Sequence, residues 1–186
     1  MLYILPTDTC YGIWCAFHDT DGYHRIYKLK KRDFTKPLAI LVESFDWLQN
    51  NTHLTVQQID FLKQYHRPFT ILTESSPVRA YLNFSCEWEE EFINKDIYTH
   101  LSFRVAHNDF QKKLVKKIWP IWLTSANISD AWETYHPDKI EKDFWYQIST
   151  WELVFYNAWE LDHTIPASDV FWFLWKNWEL SYIRKY

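Results

Sequence analysis

The sequence predicts one α/β domain, a twisted, mixed β-sheet flanked by helices. Three observations carry that expectation. Short apolar segments rich in branched residues recur along the chain, segments with helical spacing alternate with them, and no repeat, low-complexity tract or linker divides the 186 residues. The length suits a single domain with a substantial core. A composition of 47% hydrophobic and 24% charged residues is that of a globular chain rather than a disordered one.

Taken in order, residues 2–5 and 38–43 (LAILVE) read as strands, with PTDTCYG at 6–12 as a turn after the first. Between them Tyr23, Ile26, Tyr27 and Lys30 recur at helical spacing, and Trp47 is placed on a surface helix after LAILVE. Thr55 caps a helix that carries Val56, Ile59 and Leu62 on one face. FTILT (69–73), LSFRVA (101–106) and IWLTS (121–125) are further strands, and Phe110, Leu114 and Ile118 mark a helix over 108–118. Residues 136–144 read as a short helix, and ELVFY, DVFWFL and LSYIRK as closing strands. In 76–100, CEWEEE reads as an exposed acidic loop.

No apolar run approaches bilayer length, and MLYILPTDT lacks the basic start and long apolar core of a signal peptide. Three cysteines are too few and odd in number for a disulfide framework, so the protein is expected to be cytoplasmic, with no membrane partner. Cys10, Cys15 and His18 stand at C-x4-C-x2-H spacing, short of the four ligands of a closed zinc site, and read as packed, reduced thiols beside a surface histidine. Net charge is −4, but residues 25–36 (RIYKLKKRDFTK) carry +5, leaving −9 for the rest. Such a patch on an acidic body suits a phosphate-bearing small molecule or a limited RNA contact; alone it also fits a solvated helix face.

Three polar segments stand at strand ends: PTDTCYG (6–12), the cationic KLKKRDFTK before a buried strand, and LTSANIS (123–129). In open α/β sheets such ends commonly border one ligand crevice. Singly, TSAN also fits a helix cap and PTDT a turn.

Together and in order, LPTDTCYGIW (5–14), LKKRDFTKPLAILV (29–42), LSFRVA (101–106), TSANIS (124–129), IPASDV (165–170) and YIRKY (182–186) resemble the signature of the YrdC-like threonylcarbamoyl-adenylate synthases over nearly the whole chain. The resemblance implies a YrdC-like domain over 1–186, short at its N-terminus, with either one sheet edge incomplete or the protein less stable. It implies an enzyme that makes L-threonylcarbamoyl-AMP from ATP, bicarbonate and L-threonine, supplying a tRNA-modifying threonylcarbamoyl transferase complex that acts on adenosine 37. By motif position Lys30 and Arg32 would serve catalysis, and Thr9, Arg104 and Ser168 would contact threonine. Arg32, Lys36, Ser125, Asn127 and Arg184 would hold the nucleotide. Mg2+ would arrive with ATP rather than in a protein cage. A non-catalytic RNA-binding module of the same fold stays open, as does a catalytically impaired version of the enzyme. The resemblance breaks at HRPFT (66–70), where the family has P-G-P-x-T, and at Asp130, where TSAN-x-SG has glycine.

The chain has 12 Trp and two Gly, where average usage predicts about 13 glycines. On the family pattern Trp14, Trp119, Trp145, Trp159 and Trp175 or Trp178 fall at glycine positions. This points to UGA codons that the source organism reads as glycine and that are translated here as tryptophan; a naturally Trp-rich core is the alternative. On that reading Trp14, beside the motif, would fill the threonine pocket or displace Thr9, whereas Trp47 would have room to turn into solvent.

Overall fold

The computed structural model describes residues 1–88, 92–118, 120–129, 131–174 and 179–186, with the backbone alone for 85–88. The chain runs β1 (Leu2–Pro6), β2 (Tyr11–Ala16), α1 (Thr20–Lys30), β3 (Ala39–Val42), α2 (Phe45–Asn51), α3 (Val56–Gln64), β4 (Phe69–Thr73), α4 (Ser76–Trp88), β5 (Leu101–Val105), α5 (Asp109–Ile118), β6 (Ile121–Ser125), α6 (Pro137–Ser149), β7 (Leu153–Phe155), β8 (Asp169–Phe173) and β9 (Leu180–Arg184). The strands form one sheet in the order β7-β1-β2-β6-β3-β5-β4-β8-β9. Pairs β1/β7, β3/β5 and β4/β8 are parallel and the rest antiparallel, so the sheet is mixed as expected.

Period-two alternation divides the core. Tyr11, Ile13 and Cys15 of β2 enter the main core with Tyr23, Ile26 and Tyr27 of α1, Leu48 of α2, Ile59 of α3, Leu82 of α4 and Phe144 of α6. Trp14 joins a smaller cluster with Leu5, Leu41, Leu123 and Val115 of α5 on the other face. One face is thus covered by five helices and the other by α5, which leaves room beside α5 for a cavity.

Local chemistry sets the helix ends. Asp19 caps α1 by accepting from the Gly22 N–H at 2.8 Å, and Lys31, at φ 49°, ends it in the left-handed region. A Cβ on Gly22 would lie 2.5 Å from Asp19 Oδ2, so the cap depends on glycine there. Thr55 and Gln58 form a reciprocal capping box on α3.

Several expectations are corrected. Tyr11–Ala16 is a central strand, not the tail of a turn, because β1 and β6 pair with it on either side. Cys86, Glu87 and Trp88 are the last residues of α4 rather than loop, and 89–91 lie outside the described residues. β1 is an interior strand, with β7 and β2 on either side. α6 runs five residues past 144, across a kink at Phe144 (φ −125°, ψ 17°). Trp47 is 8% exposed and packs on Phe103, so it has no freedom to swing outward. Trp14 is 1% exposed, stacks on Tyr3 at 4.4 Å between centroids, and packs into the small cluster rather than a pocket. Trp119, Asp130, Trp175 and Trp178 lie outside the described residues.

Candidate functional site

The turn between β1 and β2 is held by its own hydroxyls. Thr7 Oγ1 donates to the Cys10 carbonyl (2.7 Å) and accepts from the Thr9 N–H (3.2 Å), which fixes the nearly buried Thr9. A Cβ on Gly12 would lie 2.8 Å from Leu123 Cδ1 and 3.0 Å from Thr7 Cγ2. Glycine therefore lets this turn close against β6.

The cationic segment enters at the C-terminus of α1. Arg32 Nε donates to the Lys36 carbonyl (3.2 Å) and Nη2 to the Pro37 carbonyl (2.9 Å). Lys30 is 1% exposed, and its ammonium donates to the Ser125 carbonyl, the Asn127 carbonyl and Asn127 Oδ1. Burial, and then the charge of Arg32, lowers its pKa to about 7. Asn127 completes the turn: Oδ1 accepts from Ser125 Oγ and Nδ2 donates to the Ile128 and Ala131 carbonyls.

Across the sheet, β5 presents Arg104, whose Nη2 pairs with Asp8 at 2.5 Å. Ser168, just before β8, lies 2.9 Å from Thr70 Oγ1. Arg184 of β9 donates to the Ser168 carbonyl from Nε (3.0 Å) and Nη2 (2.8 Å).

These segments border one cavity of about 470 Å³. Thr9, Arg32, Arg104, Ser125, Ser168 and Arg184 line it, together with Thr70, His100 and Glu133. The three polar segments singled out in the sequence therefore converge. Lys30, Asn127 and Lys36 do not line the cavity. Lys30 and Asn127 are spent inside the TSAN turn, and Lys36 is exposed, its carbonyl rather than its ammonium serving Arg32. Lys30 was expected to serve catalysis directly; its buried ammonium instead braces the turn that carries Ser125.

Asp8, Thr70, His100 and Glu133 were not foreseen as site residues. Asp8 and Thr70 lie within the quoted motif segments PTDT and HRPFT, whereas nothing in the sequence marks Glu133, the one carboxylate among the described lining residues. Burial pushes the Cys10 thiol up from its ordinary value, which keeps it neutral and a poor nucleophile. A larger groove of about 1120 Å³, lined in part by Asp8, Arg67, Lys112 and Lys116, contains none of the expected site residues.

The chain matches the Sua5/YciO/YrdC family model, described as telomere recombination, over residues 1–154. The threonylcarbamoyl-AMP synthase of Homo sapiens is 28% identical over 149 residues, which cover 78% of this chain and 48% of that protein. The Bos taurus enzyme is 27% identical over 149 residues, with 78% and 49% covered. The putative threonylcarbamoyl-AMP synthase of Methanocaldococcus jannaschii is 25% identical over 141 residues, with 75% and 61% covered. The chain spans about half the length of the first two relatives. Among solved structures, P. abyssi Sua5 complexed with L-threonine superposes with a TM-score of 0.74 at 23% identity, covering 98% of this chain and 49% of that one. E. coli YciO gives 0.72 at 14% identity, covering 99% and 82%. With residues 1–154 matched and the motif segments closed around one polar cavity, this chain belongs to the Sua5/YciO/YrdC family.

Proposed function

We propose that the chain is an L-threonylcarbamoyladenylate synthase. The observation that carries the proposal is the convergence of three arginines, Arg32, Arg104 and Arg184, with the hydroxyls of Thr9, Ser125 and Ser168 on one cavity. The names of its relatives, threonylcarbamoyl-AMP synthases, and the threonine held by P. abyssi Sua5 support it. In the reaction the threonine amine and bicarbonate give a carbamate with loss of water. A carbamate oxygen then bonds to the α-phosphorus of ATP as the bond to the bridging oxygen breaks, and pyrophosphate leaves with the electron pair. Such chemistry needs positioning and charge neutralisation more than a nucleophilic side chain.

Arg104, with Thr9 and Ser168, takes the threonine carboxylate, and binding redirects the guanidinium in part from Asp8. Arg32, Ser125 and Arg184 take the nucleotide, with Lys36 at the rim and Lys30 and Asn127 bracing Ser125. A cavity with one carboxylate, Glu133, fits Mg2+ carried by ATP phosphates and water rather than a protein cage. When bound, the ion neutralises phosphate charge. The product would pass to the transferase complex that modifies tRNA, and the cations of 25–36 offer an RNA contact. Among the described residues no helix is long and apolar enough to cross a membrane.

The test is threonine- and bicarbonate-dependent pyrophosphate release, with titration calorimetry on two variants. Arg32→Ala should weaken ATP and Arg104→Ala threonine, each by about 1.5–3 kcal/mol, the worth of a charge-assisted bond. Equal loss of both ligands in both variants contradicts this division. Salt-sensitive RNA binding without pyrophosphate release favours the RNA-binding module.

We also infer that several tryptophans stand where the source organism inserts glycine. Trp151 supports this reading: it sits at φ 59°, a left-handed position just past α6, and is 79% exposed. Trp145 directly follows the kink at Phe144. UGA at these codons, and glycine in the protein isolated from its own source, are the expected findings. UGG codons or tryptophan there refute it.

A further inference from the structure

Arg32 is held by backbone carbonyls, and that backbone is held in turn by a feature the sequence did not announce. Tyr23, Tyr27 and Tyr98 are each 1% exposed, yet all three hydroxyls are paired. The Leu38 N–H donates to Tyr98 Oη at 3.2 Å. Tyr98 and Tyr23 hydroxyls are 2.7 Å apart, and Tyr23 and Tyr27 hydroxyls 3.0 Å. Tyr27 Oη donates to the Lys36 carbonyl at 2.9 Å.

The direction of every proton follows from the two ends. A carbonyl can only accept, so Tyr27 donates to Lys36 and must accept from Tyr23. Tyr23 then accepts from Tyr98, whose oxygen is left to take the Leu38 N–H. Within the chain each hydroxyl donates once and accepts once, in a single direction. Burial raises the pKa of all three phenols, so none ionises and the chain keeps its sense. Trp122 packs at 5.2 Å from Tyr23 and 5.4 Å from Tyr98 between centroids, an apolar floor that excludes competing water.

We infer that Tyr98, Tyr23 and Tyr27 are positioning residues for nucleotide binding, because their hydroxyl chain clamps the backbone of residues 36–38 that holds the Arg32 guanidinium. The clamp grips both sides of Pro37, which has no N–H of its own. The Lys36 carbonyl receives Tyr27 Oη on one side and Arg32 Nε on the other, and the Pro37 carbonyl receives Arg32 Nη2. Pro37 and Ala39 both line the cavity, so the clamped segment is itself a wall of the site. A phenylalanine at any of the three positions keeps the ring and breaks the relay, because the polar groups on either side (hydroxyl, carbonyl or N–H) lose a partner.

The inference rests on the proposed nucleotide role of Arg32, so the experiment separates the two. Tyr27→Phe and Tyr98→Phe are compared with Arg32→Ala, and with Ile59→Val as a core variant remote from the segment. Two readouts are taken: amide exchange at Leu38, and KM for ATP and for threonine separately. Both tyrosine variants are expected to raise KM for ATP about tenfold, the worth of one good hydrogen bond, and to leave KM for threonine unchanged. Tyr98→Phe should also speed Leu38 exchange. Combining Tyr27→Phe with Arg32→Ala should add little to Arg32→Ala alone, since both act through one guanidinium. Loss of ATP affinity shared by Ile59→Val, or additive loss in the double variant, overturns the inference, as does unchanged Leu38 exchange in Tyr98→Phe. If Arg32→Ala itself leaves ATP unaffected, the nucleotide role of Arg32 fails, and Leu38 exchange then decides the clamp alone.

Discussion

Lys30 sits in an environment far from that of an ordinary surface lysine. Three acceptors surround its nitrogen, and burial lowers its pKa from 10.5 to about 7. The unfolded chain keeps the proton to about pH 10.5 and the folded one releases it near pH 7, so the unfolded state binds more protons between these values. Folding stability therefore rises with pH across that window, at up to about 1.4 kcal/mol per pH unit from this group. Urea unfolding from pH 6 to 10 should show this rise, and Lys30→Met should abolish it. Trp151 poses the opposite problem, a bulky side chain on left-handed backbone. Trp151→Gly should raise stability by about 1 kcal/mol, read as a higher urea midpoint. Trp14→Gly now carries the reverse expectation: with Tyr3 stacked on the indole, deletion should cost about 3–5 kcal/mol unless the site collapses.

At the scale of elements, the edge strand β9 carries Arg184 into the cavity; it pairs with β8, and Asp169 ties down the residues that follow it. This carboxylate is fully buried, accepting from Tyr65 Oη at 2.7 Å and from the Tyr186 N–H at 2.8 Å, with Arg67 Nε at 3.6 Å. Asp169→Ala leaves a phenol, an amide and a guanidinium short of an acceptor and should cost about 2–4 kcal/mol in urea unfolding. Proteolysis of the variant should begin in β9, since the same anchor fixes the strand end. The helices divide the work differently: α1 supplies two of the three clamping tyrosines and Lys30, so one helix face orients both cationic and TSAN segments.

At the scale of the whole molecule, the nine strands among the described residues put the motif segments on the face that α5 leaves open, while the other helices pack on the opposite face. Exposed indoles at Trp132, Trp145, Trp151 and Trp159 lie outside both cores. They add apolar surface without stabilising the fold. Replacing Trp145, Trp151 and Trp159 by glycine should lower self-association, seen as a smaller weight-average mass by sedimentation at high concentration, and keep the same fold by circular dichroism.

The sequence by itself determined the α/β class, most strand positions and the segments that meet at the cavity, because those depend on period-two burial and on local residue type. FTILT and IWLTS became strands at the expected bounds, and Thr9, Arg32, Arg104, Ser125, Ser168 and Arg184 came together. Only the tertiary structure decided which polar groups face the cavity and which serve one another. Lys30 and Asn127 share a motif with cavity residues, but their donors and acceptors meet across 97 residues of chain. Tyr98 reads as an ordinary aromatic until the fold brings it to Tyr23, 75 residues away, and Trp47 looks like a surface residue until Phe103 packs against it. Periodicity records which side of an element is buried; the partner that satisfies a buried hydroxyl or ammonium comes from another element, and only the packing of the two brings them within hydrogen-bond reach.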